Sequence, residues 1–329
     1  MIKTRLVKLL SHTKKYIAQM VLWQWIALLG QITAIFSIGR MVDCILMHQM
    51  SDQVILTTFM ILVVAVAIRF LCDQMATRAS FAASVDVKRI LREKIYDKLL
   101  RLGASYREHV STSEVVQMST EGVEQLEIYF GKYLPQLFYS ILAPVTLFII
   151  LSFISLKAST VLLICVPLIP ISIVAVQKLA KKLLNKYWGL YTTLGDSFLE
   201  NLQGMTTLKI YQADEMKAVE MDEEAQNFRK ITMKVLTMQL NSTSVMDIIA
   251  YGGAAVGMIT AIHQYIAGNI TIGGTLIILL LASEFFIPLR LLGSFFHIAM
   301  NGMAASDKIF GLLDLKEVES GESYFPQGE

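Results

Sequence analysis

The residues best suited to chemistry lie in one apolar stretch near the end of the 329-residue chain, ASEFFIPLRLLGSFFHIAMNG (282–302). Taking about 100° of helical rotation per residue, one polar stripe about 60° wide holds Arg290, Ser294, His297 and Asn301. A guanidinium and an imidazole on one face of a membrane helix are suited to holding an anionic carboxylate or propionate. The alternatives are an interhelical salt bridge or headgroup contact for Arg290, and packing for His297.

A carboxylate lies just before this stripe. Glu284 is about 120° from Arg290 on an ideal helix, but Pro288 lies between them. Because proline cannot donate a hydrogen bond to the carbonyl of Glu284, it permits a kink there. We expect Glu284 to pair with a base such as Arg69, which lies in another apolar segment. Aromatic side chains that could stack on a flat ligand, but more often serve packing, are Phe285, Phe286, Phe295 and Phe296.

No catalytic motif accompanies these residues. The chain has no phosphate-binding G-x-x-x-x-G-K-[ST], no G-x-S-x-G and no H-E-x-x-H, and its five histidines are scattered. The three cysteines stand singly, so neither a metal site nor a redox dithiol is indicated. The net charge of only +2 gives no global field that would attract nucleic acid. We therefore expect no active site, no metal and no nucleic-acid partner for this chain.

The composition indicates a protein that spans a membrane. Hydrophobic residues make up 54% of the chain and charged residues only 17%, against roughly 25% charged in soluble proteins. The apolar residues form blocks close to the ~20 residues that cross a bilayer. The sequence predicts an all-α membrane protein with six spans, near residues 17–38, 54–72, 134–154, 158–177, 245–266 and 272–292.

The connections between these spans are very uneven in length, and their charges orient the chain. The long ones, 73–133 and 178–244, together with both termini, contain 25 of the 29 Lys and Arg residues. Because cytoplasmic segments carry the excess of Lys and Arg, we place all four in the cytoplasm. Both long connections have helical periodicity, and glycines interrupt them at Gly103 and Gly204. They predict two helical hairpins that project far from the membrane.

The two ends of the chain differ from the middle. Residues 1–16 carry five basic side chains among leucines and an isoleucine, which favours a helix lying on the anionic inner leaflet, with membrane lipid as its partner. Residues 17–315 then form the membrane domain. Residues 316–329 are mostly polar and acidic, and we interpret them as a linker.

Three segments resemble the membrane domain of ABC exporter half-transporters. They are FLENLQGMTTLKIYQADE (198–215), GNITIGGTL (268–276) and GMAASDKIFGLLD (302–314). The resemblance implies the type 1 exporter fold, alternating access and a dimer of two halves. It also implies that the hairpin tips transmit force from nucleotide-binding domains. The residues that it assigns to this coupling are Arg107, Glu108, Glu200, Gln203, Gly204 and Lys209.

A narrower resemblance rests on YFGKYLPQ (129–136), PLIPI (167–171) and SEFFIPLRLLGSFFH (283–297), which are similar to CydD-type subunits. These belong to the heterodimeric exporter required for cytochrome bd assembly. The resemblance implies a small exported substrate, either a thiol such as cysteine or glutathione, or haem. It also implies a CydC-type partner, with a homodimer as the alternative, and a location in the cytoplasmic membrane.

Other functions stay open at this point. The same architecture serves exporters of lipids, peptides or drugs. An ion-coupled secondary transporter fits less well, because the spans show no obvious broken helices and the long hairpins would have no role. Members of the resembled family continue into a nucleotide-binding domain that would hold ATP and Mg²⁺. We therefore expect this chain to be the membrane domain of a longer protein rather than a stand-alone permease.

Overall fold

The computed structural model describes residues 13–49 and 51–317, apart from the side chains of Ser113, residues 176–181, Asn185, His297, Ile298 and Asn301. Every regular element in this part of the chain is helical. The proposed interfacial helix (1–16) and the linker (316–329) lie almost entirely outside the described residues. The described chain begins with Thr13, and its first long helix starts at Lys14.

Eleven α-helices follow one another in the described part of the chain, joined in places by short 3₁₀ or π turns. Their bounds are α1 Lys14–Leu46, α2 Asp52–Leu102, α3 Thr112–Gln117, α4 Val123–Ile128, α5 Leu134–Ser152, α6 Leu156–Cys165, α7 Leu168–Gln203, α8 Met205–Ile210, α9 Asp214–Ile266, α10 Ile272–Ala282 and α11 Ile287–Leu313. Six helical stretches among the described residues are long and apolar enough to cross a membrane. The predicted count of six spans is confirmed.

The first hairpin begins with α2, a helix of 51 residues and about 75 Å at ~1.5 Å per residue. It ends where predicted, at Gly103, whose φ of +55° favours glycine. In the part of α2 beyond the predicted span, Val87, Leu91 and Ile95 are fully or almost fully buried. They belong to one apolar core that also includes residues of α4 and α11. The first hairpin is therefore bound along its length to the helix that leads out of the last span.

The second hairpin is held mainly by contacts between its own two arms. Its arms α7 and α9 pack against each other, and the short helix α8 joins them. Large apolar side chains stay exposed on it well outside the predicted spans, including Phe198, Leu202, Ile210 and Tyr211. This hairpin therefore exposes apolar side chains to water at and near its tip.

The fourth span is broken, contrary to the expectation of uninterrupted spans. The helix α6 ends at Cys165 and α7 begins at Leu168, with a turn at Val166 and Pro167 between them. Pro167 has no N–H and cannot continue the hydrogen-bond ladder. The expected irregularity before Pro288 is present as well: a 3₁₀ turn covers Ser283–Phe285, and α11 starts at Ile287.

The membrane end of the first hairpin is very tightly packed. The motif YFGKY (129–133) forms a π turn in which Tyr129, Phe130 and Tyr133 are buried. At its centre, Ser80 Oγ of α2 donates to the carbonyl of Gly131 at 2.9 Å. A Cβ atom at Gly131 would lie 2.7 Å from Ser84 Oγ. This part of the CydD-like pattern therefore serves helix packing.

A second close approach joins α1 to the start of α10, at the opposite end of the spans from the hairpins. Asp43 accepts hydrogen bonds from Thr271 Oγ1 (2.8 Å) and from the backbone N–H of Gly273 (2.7 Å). The carboxylate thus caps the N-terminus of α10, where the helix dipole favours negative charge. A Cβ atom at Gly39 would lie 2.9 Å from the carbonyl oxygen of Gly273. The two backbones touch because both residues are glycine.

Candidate substrate path and coupling surfaces

Arg290 is engaged by an acidic partner on the neighbouring helix α9. Its Nε donates to Asp247 Oδ1, and Nη2 lies 3.4 Å from Asp247 Oδ2. The guanidinium also lies 5.7 Å from the centre of the Tyr251 ring, which adds a cation–π contact. The side chains of Arg290 and Asp247 are 35% and 31% exposed, so the pair borders an open space. The interhelical salt bridge, one of the three roles considered for Arg290, is the one that the structure shows.

The rest of the polar stripe is only partly described. The Ser294 hydroxyl is exposed and donates to the carbonyl of Arg290 at 3.3 Å, one turn back along the helix. His297 and Asn301 continue the same helix, but their side chains lie outside the described part of the structure. Their role as ligands of a transported molecule stays a prediction.

Glu284 does not pair directly with Arg69, and that expectation is wrong. A glutamine of α1 lies between them: Gln31 Nε2 donates to Glu284 Oε1 at 2.8 Å, and Arg69 Nη1 donates to Gln31 Oε1 at 2.9 Å. The amide can serve both partners because one end donates and the other accepts. Three spans, α1, α2 and the segment before α11, are therefore joined by one polar relay.

Replacing Gln31 by leucine should therefore leave two charged groups unsatisfied at once. We expect the Gln31→Leu variant of the whole protein to melt several degrees lower than wild type, because polar groups inside a membrane are costly to leave unpaired. Gln31→Glu would instead place two carboxylates side by side and should be at least as harmful. Thermal unfolding in detergent measures both. Gln19→Leu, an exposed glutamine on the same helix, is the matched control; a melting temperature for Gln31→Leu equal to that of this control would contradict the relay.

The four aromatic residues near the stripe serve packing in most cases. Phe285, Phe286 and Phe296 are almost fully buried, and Phe295 is half-buried. The Phe286 ring lies against Gly253 of α9, where a Cβ atom would come within 2.8 Å of it. The structure thus favours the packing role over stacking on a flat ligand.

The described residues contain no group of three His, Cys, Asp or Glu side chains that could hold a metal ion. A haem propionate also has no free cation to meet at Arg290, because Asp247 already takes that guanidinium. The described residues at this position therefore do not fit haem.

The tip of the first hairpin is a 3₁₀ turn over Gly103–Glu108, followed by α3. Both candidate coupling residues there, Arg107 and Glu108, are exposed. The base of this tip is bound to the chain after α11. The Lys98 ammonium lies 3.0 Å from the Glu317 carboxylate, with Arg101 at 3.8 Å. The hydrogen bond from Lys98 lowers the pKa of Glu317. The segment that follows the last span is therefore held against the first hairpin.

The tip of the second hairpin is the helix α8, one and a half turns long. Around it, the candidate coupling residues Glu200, Gln203 and Lys209 are exposed and Gly204 is half-buried. Lys209 forms an ion pair of 2.9 Å with Asp214 across the end of α8, and this hydrogen bond raises the pKa of Lys209. Ile210 and Tyr211 are 72% and 77% exposed. Exposed apolar side chains that lie side by side in this way are typical of surfaces that bind another protein.

Three residues of the site were missed by reasoning from sequence. Gln31 is one of several glutamines in the first span and gave no distinguishing signal. Asp247 did give one, since it is the only acidic residue within the fifth predicted span, 245–266. Tyr251 lies one turn further along the same helix, so it could have been inferred once Asp247 was recognised.

Six membrane-spanning helices and two long helical hairpins with exposed tips define a transporter membrane domain of the exporter class. The model of the ABC transporter transmembrane region matches residues 20–289, and the chain belongs to that family. The prediction of a CydD-like ABC exporter membrane domain is confirmed at this level.

Individual relatives agree with this assignment. An uncharacterised ABC transporter ATP-binding protein of Haemophilus influenzae is 56% identical over 293 residues, 89% of this chain and 52% of the relative. The glutathione/L-cysteine transport protein CydD of Escherichia coli is 25% identical over 314 residues, 90% and 53% of the two chains. The corresponding CydC of Bacillus subtilis is 26% identical over 223 residues, 68% and 39%. The chain spans about half the length of the curated relatives it matches, or less.

Proposed function

We propose that this chain forms the membrane-spanning half of an ATP-driven exporter that moves a small thiol, such as cysteine or glutathione, out of the cytoplasm. The observation that carries the proposal is the pair of long hairpins with exposed tips in a chain of the ABC transporter family. The names of the CydD and CydC relatives, which transport glutathione and L-cysteine, support the substrate class. ATP and Mg²⁺ would bind to a nucleotide-binding domain outside this sequence.

The proposed partner is a second half-transporter, of the CydC type or a second copy of this chain. Apolar surface exposed on the second hairpin supports a partner, because such surface is seldom left open to water outside a membrane. Nucleotide-binding domains would press on both tips, and the long helices would carry the movement into the membrane. We place the complex in the cytoplasmic membrane, with both termini in the cytoplasm.

Of the two arginines in the proposed path, Arg69 is the better candidate to meet an anionic substrate. Arg290 is neutralised by a carboxylate, whereas Arg69 is exposed and, among the described residues, forms hydrogen bonds only with the uncharged amide of Gln31. An anionic substrate such as glutathione would therefore meet an uncompensated positive charge at Arg69. Glu284, Ser294, His297 and Asn301 remain proposed neighbours along the same route.

The direct test is transport by the full-length protein, with its partner, in inverted membrane vesicles. ATP-dependent accumulation of radiolabelled glutathione or cysteine is expected, and vesicles without ATP are the control. Accumulation of a lipid, peptide or drug in place of thiols would favour the alternative exporters of the same fold. Uptake driven by an ion gradient without ATP would contradict the proposal.

The exposed side chains at the tip of the second hairpin allow a test of coupling. We expect the Ile210→Ala/Tyr211→Ala variant to lose tenfold or more of its transport, since anchors at the centre of an interface contribute about 2 kcal/mol or more each. Its stability should stay unchanged because both side chains are largely in water. Phe81→Ala, which removes an equally exposed side chain far from the tip, is the control. Equal transport by the two variants would exclude this tip from coupling.

A further inference from the structure

The second hairpin carries a strong separation of charge along its length. Its membrane-proximal parts, residues 178–195 and 225–246, contain seven Lys and Arg residues and no acidic residue. The tip half between them, residues 196–224, contains eight acidic residues and two lysines. A solvated helical hairpin usually mixes both signs of charge along its faces. The separation here therefore needs a reason other than solubility.

Proximity to the membrane alone does not supply that reason. The corresponding parts of the first hairpin, residues 73–95 and 119–133, contain six basic and six acidic residues. Both hairpins lie on the same side of the membrane, so the rule that favours positive charge there applies to both. The excess of seven positive charges belongs to the second hairpin.

Three of these basic side chains meet at one place. Lys186 of α7 and Lys230 and Lys234 of α9 line a single cleft of about 340 Å³, together with Asn227. Leu190 and Ile231 complete the lining, and Ile231 is buried between the helices. The cleft therefore has an apolar floor and a rim of three ammonium groups and one amide.

No carboxylate among the described residues neutralises the ammonium groups of this rim. Among the described residues, no carboxylate forms an ion pair with Lys186, Lys230 or Lys234. The nearest acidic residues along the two helices are Asp196 and Glu224, each at least six positions away. Like charges gathered without a counter-charge repel one another, and a bound anion would relieve that repulsion.

We propose that the cleft lined by Lys186, Asn227, Lys230 and Lys234 is an anion-binding site for a phosphate or carboxylate group. Lysines act as flexible point charges and accept either group, whereas a planar guanidinium fork favours bidentate geometry. The amide of Asn227 can donate a hydrogen bond to the same anion. The site is independent of which solute the transporter exports.

The distance of the cleft from the membrane is compatible with two sources of the anion. Lys186 lies nine residues beyond Gln177, where the fourth predicted span ends, or about 14 Å along the helix. Headgroups extend roughly 5–8 Å beyond the hydrocarbon of each leaflet. Side chains on α7 lean toward its N-terminus, which is the membrane side. Both the headgroup of an anionic phospholipid and a soluble cytosolic anion are therefore within reach.

The test measures how fast each lysine is acetylated in the full-length transporter, read residue by residue by mass spectrometry. The protein is placed in nanodiscs of phosphatidylcholine alone, of phosphatidylcholine with phosphatidylglycerol, and of phosphatidylcholine with millimolar inorganic phosphate. We expect labelling of the three rim lysines to slow at least threefold in one or both anionic conditions. Lys94, exposed on the first hairpin, and Lys132, exposed at the membrane boundary, are internal controls that should change little.

Slower labelling with phosphatidylglycerol alone would assign the site to a lipid headgroup, and slower labelling with phosphate alone to a soluble anion. The Lys186→Gln/Lys230→Gln/Lys234→Gln variant should retain less phosphatidylglycerol in native mass spectrometry or lose phosphate binding. The corresponding triple arginine variant, which keeps the charges, should not. Labelling rates that are the same in all three nanodiscs, or that fall equally at Lys94 and Lys132, would overturn the proposal. If the full-length protein accumulates no thiol in vesicles but its rim lysines are still labelled more slowly with an anion present, the result would count against the proposed transport function alone.

Discussion

Replacing Gly273 by alanine is expected to destabilise the protein more than any other single methyl group added at a described glycine. The added Cβ would meet the backbone carbonyl of Gly39 and the carboxylate of Asp43 well inside van der Waals contact. Neither can move away easily, because one is helix backbone and the other caps α10. Forced overpacking costs about 1–3 kcal/mol, and more where backbone must shift. Expression and thermal unfolding of the full-length protein measure the effect.

Gly252→Ala is the matched control for this substitution. It lies within α9, and a Cβ atom there meets nothing within 4 Å. Alanine is favoured over glycine inside a helix by roughly 0.5–1 kcal/mol, so this control should be neutral or slightly stabilising. Asp43→Asn, which keeps the shape of the cap and removes its charge, should fall between the two. Similar melting temperatures for the Gly273 and Gly252 variants would mean that α1 and α10 do not touch there.

Replacing Arg290 by alanine is expected to reduce transport at least tenfold and to lower stability. The substitution leaves Asp247 as an unpaired carboxylate at the edge of the membrane. A charge at the centre of a membrane helix costs about 2.5–3.5 kcal/mol on insertion scales. The cost here should be smaller, because Asp247 is 31% exposed. Transport and thermal unfolding are measured on the same preparations.

A double variant separates the structural role of Arg290 from a role in the path. Asp247→Asn/Arg290→Gln removes both charges while keeping polar groups of similar size, so the stability lost by Arg290→Ala should largely return. Transport should stay low if the arginine lines the path. Recovery of wild-type transport in the double variant would show that Arg290 only holds α9 and α11 together, and we would then withdraw it from the path.

The architecture was largely predictable because the sequence patterns that indicate it extend over many residues. Blocks of about 20 apolar residues, the distribution of basic residues and the glycines at 103 and 204 each involve many positions or break a regular pattern. The helix end at Gly103 is an example, since its φ of +55° combined with a ψ of −138° favours a residue without a side chain. Such features leave a trace in the sequence whatever the tertiary contacts are.

The partners of the charged side chains were predicted less well. The Asp247–Arg290 pair joins residues 43 positions apart, and the relay through Gln31 depends on how three helices are rotated against one another. Composition and periodicity place a residue on a face of its own helix but do not fix which neighbouring helix that face meets. The break at Val166 and Pro167 was missed although proline marks it, because its apolar surroundings resemble an intact span.

The break at Val166 and Pro167 has a mechanical consequence for the second hairpin. One arm, α9, is continuous over 53 residues from the tip to the far side of the membrane. The other arm has a joint partway through the membrane, between α7 and α6. A push on the tip would tilt α9 as a single rod, whereas the interrupted hydrogen-bond ladder at Val166 and Pro167 would let α7 bend relative to α6. Movement of α9 against α6 would then be concentrated where Leu162 packs directly on Gly257, so closely that an added Cβ atom would overlap the leucine side chain.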